Sequence, residues 1–317
     1  MDWFERLTGF RERPYEETRA QLEVRGDRLH SRVNGRSYGI GRLELASVAE
    51  LRARAHGAPE GLPGVTKVVG DVRAMHADPA NRGALFQVAS QFNLLEMIGP
   101  GVTPEDGVSR YAGDETQGPA CAVAAGAATI YRNYFAPVKG LPGQTATRQI
   151  DALADLGAAL GNDGERLWRM RNGYALCTRD GLAEIDARLA AASAGQVDAL
   201  RDRLRIGLHW DVEVTDAHSE PRPVVSQAFC SALPAAYTPI ASRHWRAFAS
   251  LVLEGAYEAT LWAAAINAAR GASPIVYLTR LGGGAFGNES EWIDAAMRRA
   301  LDLARGVALD VRVVRYG

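Results

Sequence analysis

Strand-like and helix-like patterns of apolar residues alternate along most of this chain. Short apolar runs predict strands at 65–69, 84–89, 169–177, 206–214, 224–230, 275–279 and 309–314. Apolar positions at helical spacing predict helices at 119–134, 146–160, 182–189, 196–204, 244–270 and 291–305. This alternation predicts an α/β fold, a three-layer α/β/α sandwich with a mixed, largely parallel central sheet.

The beginning of the chain follows a different pattern. Two runs that alternate apolar and polar residues, at 21–24 and 29–33, predict a hairpin, and a capping signal predicts a helix over 47–55. A loop rich in glycine and proline follows this helix. We therefore expect an N-terminal extension, residues 1–64, packed on a main domain of residues 65–317.

Composition and charge narrow the classes of function. The chain has 317 residues, of which 47% are hydrophobic and 23% charged, and its net charge is −1. Nothing in this balance requires a nucleic-acid partner or a membrane surface, and the charged N-terminus lacks a signal-peptide core. The three cysteines have no paired spacing, and the six histidines form no pair at metal-ligand spacing. We expect a cytoplasmic protein with free thiols and no bound metal.

The most distinctive motif lies near the C-terminus, in the sequence T-R-L-G-G-G-A-F-G-N at 279–288. An apolar run precedes it and an amphipathic stretch follows it, which predicts a strand, a glycine loop and a helix. Glycines allow the backbone to approach a ligand, and a helix N-terminus attracts anions, so the motif predicts a phosphate or diphosphate site. The candidate binding residues are Gly282, Gly283, Gly284, Ala285, Phe286, Gly287 and Asn288.

The same glycines match the dinucleotide fingerprint G-x-G-x-x-G, but their position in the chain does not favour a Rossmann unit. Such a unit needs an acidic residue about 20 positions later and usually further strands. Here one helix and one strand follow before the sequence ends. The alternative of a plain tight turn between strand and helix stays open.

A second polar segment lies between the strand at 84–89 and the next predicted helix. It contains four carboxylates, Glu105, Asp106, Asp114 and Glu115. Carboxylates accept hydrogen bonds from ribose hydroxyls, and one can act as acid or base at a glycosidic bond. The helix dipole explains Asp114 and Glu115 without any function, but it explains Glu105 and Asp106 poorly.

Two further polar positions follow strand ends. Gly70-Asp71-Val72 comes directly after the strand at 65–69, where Asp71 could accept a hydrogen bond from an adenine amino group. An ordinary turn aspartate is the alternative. The strand at 84–89 runs into an amide-rich end that finishes at Asn93.

Taken together, these motifs resemble the macrodomain superfamily, which binds ADP-ribose. Gly70-Asp71-Val72 is similar to the Gly-Asp-Ile of macrodomains, which implies that Asp71 holds the adenine amino group and that Val72 belongs to the ligand-binding residues. Asn93 is similar to the asparagine that contacts the distal ribose. The glycine loop is similar to the loop that wraps the diphosphate, with Phe286 near the distal ribose. The resemblance covers residues 65–317.

The chain departs from macrodomains in lacking a glycine run after the asparagine. The acidic segment stands there instead, and this departure resembles a divergent branch distantly similar to poly(ADP-ribose) glycohydrolase. That branch includes bacterial effectors that remove ADP-ribose from arginine of modified ubiquitin. The resemblance implies an ADP-ribosyl hydrolase without a cofactor, whose partner is ADP-ribose or an ADP-ribosylated protein. Its expected catalytic residues are Asp114, Asp106 and Glu105, with Gln117 as a positioning group. Two alternatives are a reader that binds ADP-ribose without cleaving it and an unrelated NAD- or nucleotide-binding enzyme.

Overall fold

A computed structural model describes residues 1–315 of the chain. The last two residues of the predicted main domain lie outside this range. The strands are β1 (Leu22–Arg25), β2 (Arg28–Ser31), β3 (Ser37–Gly39), β4 (Arg42–Ser47), β5 (Gly64–Val69), β6 (Leu85–Ala89), β7 (Pro137–Val138), β8 (Leu141–Pro142), β9 (Trp168–Arg171), β10 (Tyr174–Cys177), β11 (Arg205–Glu213), β12 (Val224–Cys230), β13 (Ile275–Leu278) and β14 (Asp310–Arg315).

Helices occupy the connections between these strands. They are α1 (Trp3–Thr8), α2 (Tyr15–Ala20), α3 (Val48–Arg54), α4 (Val72–Ala77), α5 (Gln117–Ala124), α6 (Gly126–Tyr134), α7 (Ala154–Ala159), α8 (Arg179–Ala191), α9 (Ala194–Arg201), α10 (Arg246–Ala269) and α11 (Ser290–Leu303). Within the described residues, no helix is long and apolar enough to cross a membrane.

Seven strands form the central sheet in the order β4-β11-β12-β6-β13-β14-β5. The strands from β12 to β5 pair in parallel, whereas β11 is antiparallel to both of its neighbours. The buried strands of this sheet are the continuous apolar runs of the sequence, because a strand covered on both faces needs no polar side. The predicted mixed, largely parallel sheet is confirmed.

Helices cover both faces of the sheet. On one face, α10 packs against α3, α8, α9 and α11 and touches the strands beneath it. On the other face, α4, α5 and α6 pack side by side, and α1 lies on α6. One large apolar core joins the sheet to both helical layers. The predicted three-layer α/β/α arrangement is therefore confirmed.

The first 64 residues contribute both to a small separate sheet and to the central sheet. The predicted hairpin is formed by β1 and β2, and β3 extends it into a small sheet. Trp3 and Phe4 of α1 pack with Ile130 and Tyr134 of α6 in a second apolar cluster. β4, by contrast, pairs with β11 at one edge of the central sheet. The division of the chain at residue 64 stays a prediction.

Three predicted elements differ from the structure. The strand expected at 169–177 is a separate hairpin of β9 and β10, because Asn172 and Gly173 both have positive φ (47° and 79°) and form a two-residue turn. The helix expected at 119–134 is broken at Ala125, after which the Gly126 amide donates to Thr215.

The third difference is the helix expected at 146–160, which is reduced to α7. Before α7, the chain follows contacts to other segments rather than a helical path. The amide of Ile150 donates to the Gln144 side chain, and the amide of Ala152 donates to the carbonyl of Phe92. These tertiary hydrogen bonds outweigh the helical propensity of the segment.

Candidate functional site

A cavity of about 930 Å³ opens at the carboxyl ends of β6, β13 and β14. Ligands of open α/β sheets bind at this edge, because the loops that follow parallel strands converge there. The start of α5 and the glycine loop between β13 and α11 form two of its walls. Among the predicted site residues, the cavity is lined by Asp114, Gln117, Gly282, Gly283, Gly284, Ala285 and Phe286.

The glycine loop needs glycine at specific positions. Gly282 and Gly287 have positive φ, 71° and 70°, and a Cβ on either would collide with an alanine side chain. Gly284 differs, because its φ is ordinary and a Cβ there would meet nothing within 4 Å. The loop is closed by the Asn288 amide, which donates to the carbonyl of Gly282 at 2.9 Å.

Several backbone N–H groups of this loop remain free for a ligand. The amides of Gly284, Ala285 and Phe286 donate to no acceptor within residues 1–315. α11 begins directly after the loop, at Ser290, which also lines the cavity. Free amides next to a helix N-terminus form a site suited to an anion.

The start of α5 is held tightly against β6. The Gln117 side chain accepts from the Ala89 amide and donates to the Gln87 carbonyl, each at 2.8 Å, and so binds the backbone at the end of β6. A Cβ on Gly118 would collide with the carbonyl oxygen of Ala89. The amides of Gln117 and Gly118 donate to no acceptor within residues 1–315, so this helix start also offers free donors at the cavity.

Gly118→Ala is expected to destabilise the folded protein by roughly 1–3 kcal/mol, the usual cost of overpacking. The added methyl group would push α5 away from the end of β6. Denaturant unfolding measures the difference. Gly195→Ala is the matched control, because a Cβ on Gly195 in the first turn of α9 meets nothing within 4 Å. Equal unfolding free energies for the two variants would contradict the tight contact.

Asp114 lies half-buried at the cavity, two residues before the helix cap Thr116. Its Oδ1 accepts from the Thr116 amide at 2.9 Å and from the Thr116 hydroxyl at 2.7 Å. Its Oδ2 has no hydrogen-bond partner within residues 1–315. One carboxylate oxygen is therefore fixed, and the other is available to a ligand.

Glu105 and Asp106 do not line the cavity, although the sequence predicts them beside Asp114. Both are exposed on a short helical turn. The Glu105 carboxylate accepts from the Ala146 amide at 2.8 and 2.9 Å, and Asp106 accepts from the Thr103 amide at 2.8 Å. Asp106 therefore holds the backbone of its own turn, and Glu105 holds the backbone of a distant segment at Ala146.

Three other predicted site residues do not line the cavity. Asn93 is fully buried, and its side chain donates to Gln149 and accepts from the Leu95 amide. Val72 is fully buried, and Asp71 is exposed at the start of α4, where it accepts from the Arg73 amide. The predicted contacts of Asp71, Val72 and Asn93 with a ligand stay predictions.

Asn288 and Gly287 contribute to the shape of the glycine loop. Asn288 is buried, and its side chain donates to the Leu233 carbonyl at 2.8 Å. A Cβ on Gly287 would lie 2.8 Å from the Cβ of Ala236. Both residues thus fix the loop to the segment that follows β12.

Three aromatic side chains that sequence reasoning missed form one wall of the cavity. Tyr174, Tyr237 and Phe286 have ring centroids 5.1 to 5.6 Å apart. Burial raises the pKa of Tyr174, and its hydroxyl donates to the Met97 carbonyl at 2.6 Å. The sequence placed Tyr174 in a central strand, so nothing indicated that it would meet Phe286.

Charged side chains that the sequence did not single out also line the cavity. Arg280 begins the glycine loop and pairs with Asp294 of α11, and Arg315 ends β14. Glu96, on the segment after β6, also borders the cavity, but its side chain is fully buried. The sequence feature that could have indicated Glu96 is its position as a single acidic residue within the apolar run at 94–98.

Within residues 1–315, no group of three or more His, Cys, Asp or Glu side chains is arranged to hold a metal ion. The three cysteines are buried free thiols. Burial raises the pKa of each thiol, which keeps them protonated at neutral pH.

Comparison with known proteins gives structural matches only. No protein-family model and no curated protein matches the chain. The solved structure of poly(ADP-ribose) glycohydrolase from Thermomonospora curvata is 13% identical, covers 94% of this chain and 89% of its own, and gives a TM-score of 0.44. The enzyme from Deinococcus radiodurans in complex with ADP-ribose is 12% identical, covers 86% of each chain, and gives a TM-score of 0.43. At these identities and scores, the likeness carries no argument about activity.

Proposed function

We propose that this protein hydrolyses an ADP-ribosyl bond and releases ADP-ribose from a modified protein side chain. The observation that supports this proposal is the convergence of three features on one cavity. Free amides of the glycine loop, free amides at the start of α5 and the half-buried Asp114 carboxylate all border it. A diphosphate needs such hydrogen-bond donors, and cleavage at the adjoining ribose needs a carboxylate beside them.

The diphosphate would lie between the glycine loop and the start of α5, with Arg280 as an additional cation. Adenine would extend over β14 toward Asp71 at the end of β5. β6 and β5 are separated by three strand spacings, or roughly 14 Å, which suits an extended nucleotide. The distal ribose would then lie near Asp114 and the aromatic wall.

The position of Asp114 supports a role for this residue in the chemical step. Cleavage at the anomeric carbon of the distal ribose develops oxocarbenium character, and a nearby carboxylate stabilises this positive charge. The oxygen Oδ2 of Asp114 would face this charge or orient the attacking water, while Thr116 holds Oδ1. Gln117 acts as a positioning group, because its side chain fixes α5 against β6.

The acceptor side chain that we propose is arginine. A guanidinium is planar and cationic, and the cavity is lined by the acidic residues Asp114 and Glu115 and by the aromatic residues Tyr174 and Tyr237. Carboxylates and aromatic faces both attract a guanidinium. ADP-ribosylated ubiquitin is the first protein substrate to test.

The test combines a titration with a turnover assay. Calorimetry with ADP-ribose, AMP and NAD is expected to give the tightest binding for ADP-ribose. Incubation with protein that is ADP-ribosylated on arginine is expected to release ADP-ribose. Binding of ADP-ribose without release would identify a reader, and tighter binding of NAD than of ADP-ribose would indicate an unrelated nucleotide-binding enzyme.

Asp71→Ala is expected to weaken ADP-ribose binding by roughly 1–3 kcal/mol, the usual effect of losing a charge-assisted hydrogen bond. Ribose-5-phosphate lacks adenine, so its affinity is expected to stay unchanged. Titration of the wild type and of Asp71→Ala with both ligands measures the difference. An equal loss for the two ligands would show that Asp71 serves only as the cap of α4, where it accepts from Arg73.

A further inference from the structure

An ion pair is buried directly behind the start of α5. Glu96 and Arg132 have no exposed side-chain surface, and Nη2 of Arg132 lies 3.3 and 3.5 Å from the two carboxylate oxygens. A Cβ on Gly118 would lie 3.2 Å from Cγ of Glu96. The Glu96 side chain therefore packs against the same helical turn that borders the cavity.

The pairing of these two charges is incomplete. Arg132 also donates to the Leu94 carbonyl and to the Thr129 hydroxyl, while its Nη1 has no partner within residues 1–315. The distances to Glu96 exceed the 2.7–2.9 Å that is usual for a charge-assisted hydrogen bond. Glu96 thus receives only part of the stabilisation that an ionised buried carboxylate requires.

The other titratable groups that face Glu96 are neutral. Tyr111 accepts from the Glu96 amide at 3.2 Å, and Cys121 lies in α5. Burial raises the pKa of Tyr111 and of Cys121 well above their ordinary values. Burial also raises the pKa of Glu96 to about 7, although Arg132 opposes this rise. Glu96 is therefore partly protonated and partly ionised near neutral pH.

The positive end of α5 is available to two negative groups. A helix N-terminus carries the equivalent of about half a positive charge, and its field acts on groups within the first turn. Glu96 approaches this turn from within the protein, and a diphosphate in the cavity would approach it from outside. Each negative charge makes the second one less favourable.

We propose that Glu96 takes up a proton when an anionic ligand enters the cavity, so that diphosphate binding is linked to protonation of this buried carboxyl group. The choice of ADP-ribose as that ligand rests on the proposed function. Glu96 is a positioning residue in this scheme, because it acts on the ligand through the start of α5 and does not contact the reacting atoms.

The sign of the pH dependence follows from this linkage. The ligand favours the protonated form of Glu96, so ADP-ribose affinity falls as the pH rises through and above 7. Below this range Glu96 is already protonated, and the affinity no longer changes for this reason. A ligand-induced rise of about one in the pKa of Glu96 would give up to about a tenfold loss of affinity.

The experiment measures proton uptake by calorimetry at pH 7. Wild-type protein is titrated with ADP-ribose in two buffers of different ionisation enthalpy, and the difference between the observed enthalpies gives the number of protons bound. The diphosphate of ADP-ribose does not itself titrate near neutral pH, so uptake must come from the protein. We expect a fraction of one proton for the wild type and none for Glu96→Gln.

Glu96→Gln is a neutral mimic of the protonated carboxyl group and is expected to fold, because the wild-type protein already holds that form near pH 7. Glu17→Gln, an exposed substitution on α2, is the control and is expected to retain both uptake and affinity. Binding without proton uptake, or unchanged uptake in Glu96→Gln, would overturn this inference alone. Failure of ADP-ribose to bind would overturn it together with the proposed function.

A second measurement on the wild type covers the case in which Glu96→Gln does not fold. Carbon-13 NMR of labelled glutamate carboxyl groups follows the titration of each group in the free protein and in its complex with ADP-ribose. We expect one buried carboxyl group with a pKa near 7 that rises on ADP-ribose binding. A spectrum in which no glutamate pKa rises on binding would overturn the inference.

Discussion

Asp114→Ala is expected to lower turnover of a substrate ADP-ribosylated on arginine by roughly 100-fold or more while changing ADP-ribose affinity little. A carboxylate that meets positive charge only in the transition state contributes little to binding in the ground state. Oδ2 of Asp114 has no partner within residues 1–315 and borders the cavity, which fits this role. Single-turnover release of ADP-ribose measures the rate, and calorimetry measures the affinity.

Asp114 also supports the local turn through Thr116, so its structural contribution must be separated from catalysis. Loss of a comparable capping contact costs about 1 kcal/mol of stability and leaves the rate of the folded enzyme near normal. An early thermal transition combined with the parent rate would assign Asp114 to structure. Glu115 would then become the leading candidate, because it lines the cavity, whereas the Glu105 carboxylate is bound to the Ala146 amide.

Gly284→Val is expected to lower ADP-ribose affinity by about 100-fold while leaving the fold intact. A Cβ on Gly284 meets nothing within 4 Å and needs no unusual backbone angle, so the substituted loop can fold. The side chain would stand between a diphosphate and the free amides of the loop. Loss of two or three hydrogen bonds at about 1 kcal/mol each accounts for the factor. Titration with ADP-ribose, after thermal denaturation has confirmed folding, measures it.

Two matched substitutions make this result interpretable. Gly195→Val introduces the same side chain at an open position of α9 that does not line the cavity, and this variant is expected to bind ADP-ribose normally. Gly282→Val is expected to disrupt the loop itself, because Gly282 has a positive φ and its Cβ would collide with Ala232. Normal affinity in a folded Gly284→Val variant would remove the glycine loop from the ligand site.

Much of the fold could be predicted because most strands of the central sheet correspond to short apolar runs in the sequence. β5, β6, β12, β13 and β14 are short apolar runs that end at polar or small residues, and each was predicted within one residue at either end. The wrong predictions arose where one sequence pattern is compatible with two different structures. Asn172-Gly173 converts one expected strand into a hairpin, and a hydrogen bond to Thr215 accompanies the break in an expected helix at Ala125.

The site was less predictable, because its members are joined only by the tertiary fold. Asp114 and the glycine loop each follow a strand end, so both could be expected at one edge of the sheet. Glu105 and Asp106 are close to Asp114 in sequence, yet they lie on a separate helical turn and do not line the cavity. The partner of Glu96 is Arg132, 36 residues further along the chain on another element, and no sequence spacing indicates such a pair.

The order of strands in the sheet has a consequence for how the molecule assembles. β4 and β5 are consecutive strands of the sheet along the chain, joined through α3, yet they occupy its two opposite edges. β4 pairs with β11 and β5 pairs with β14, so each edge strand depends on a partner far along the chain. Pairings between such distant segments slow folding. Both edges of the sheet are therefore made long before their partners, and we expect the cavity at the ends of β6, β13 and β14 to form only when these distant pairings close the sheet.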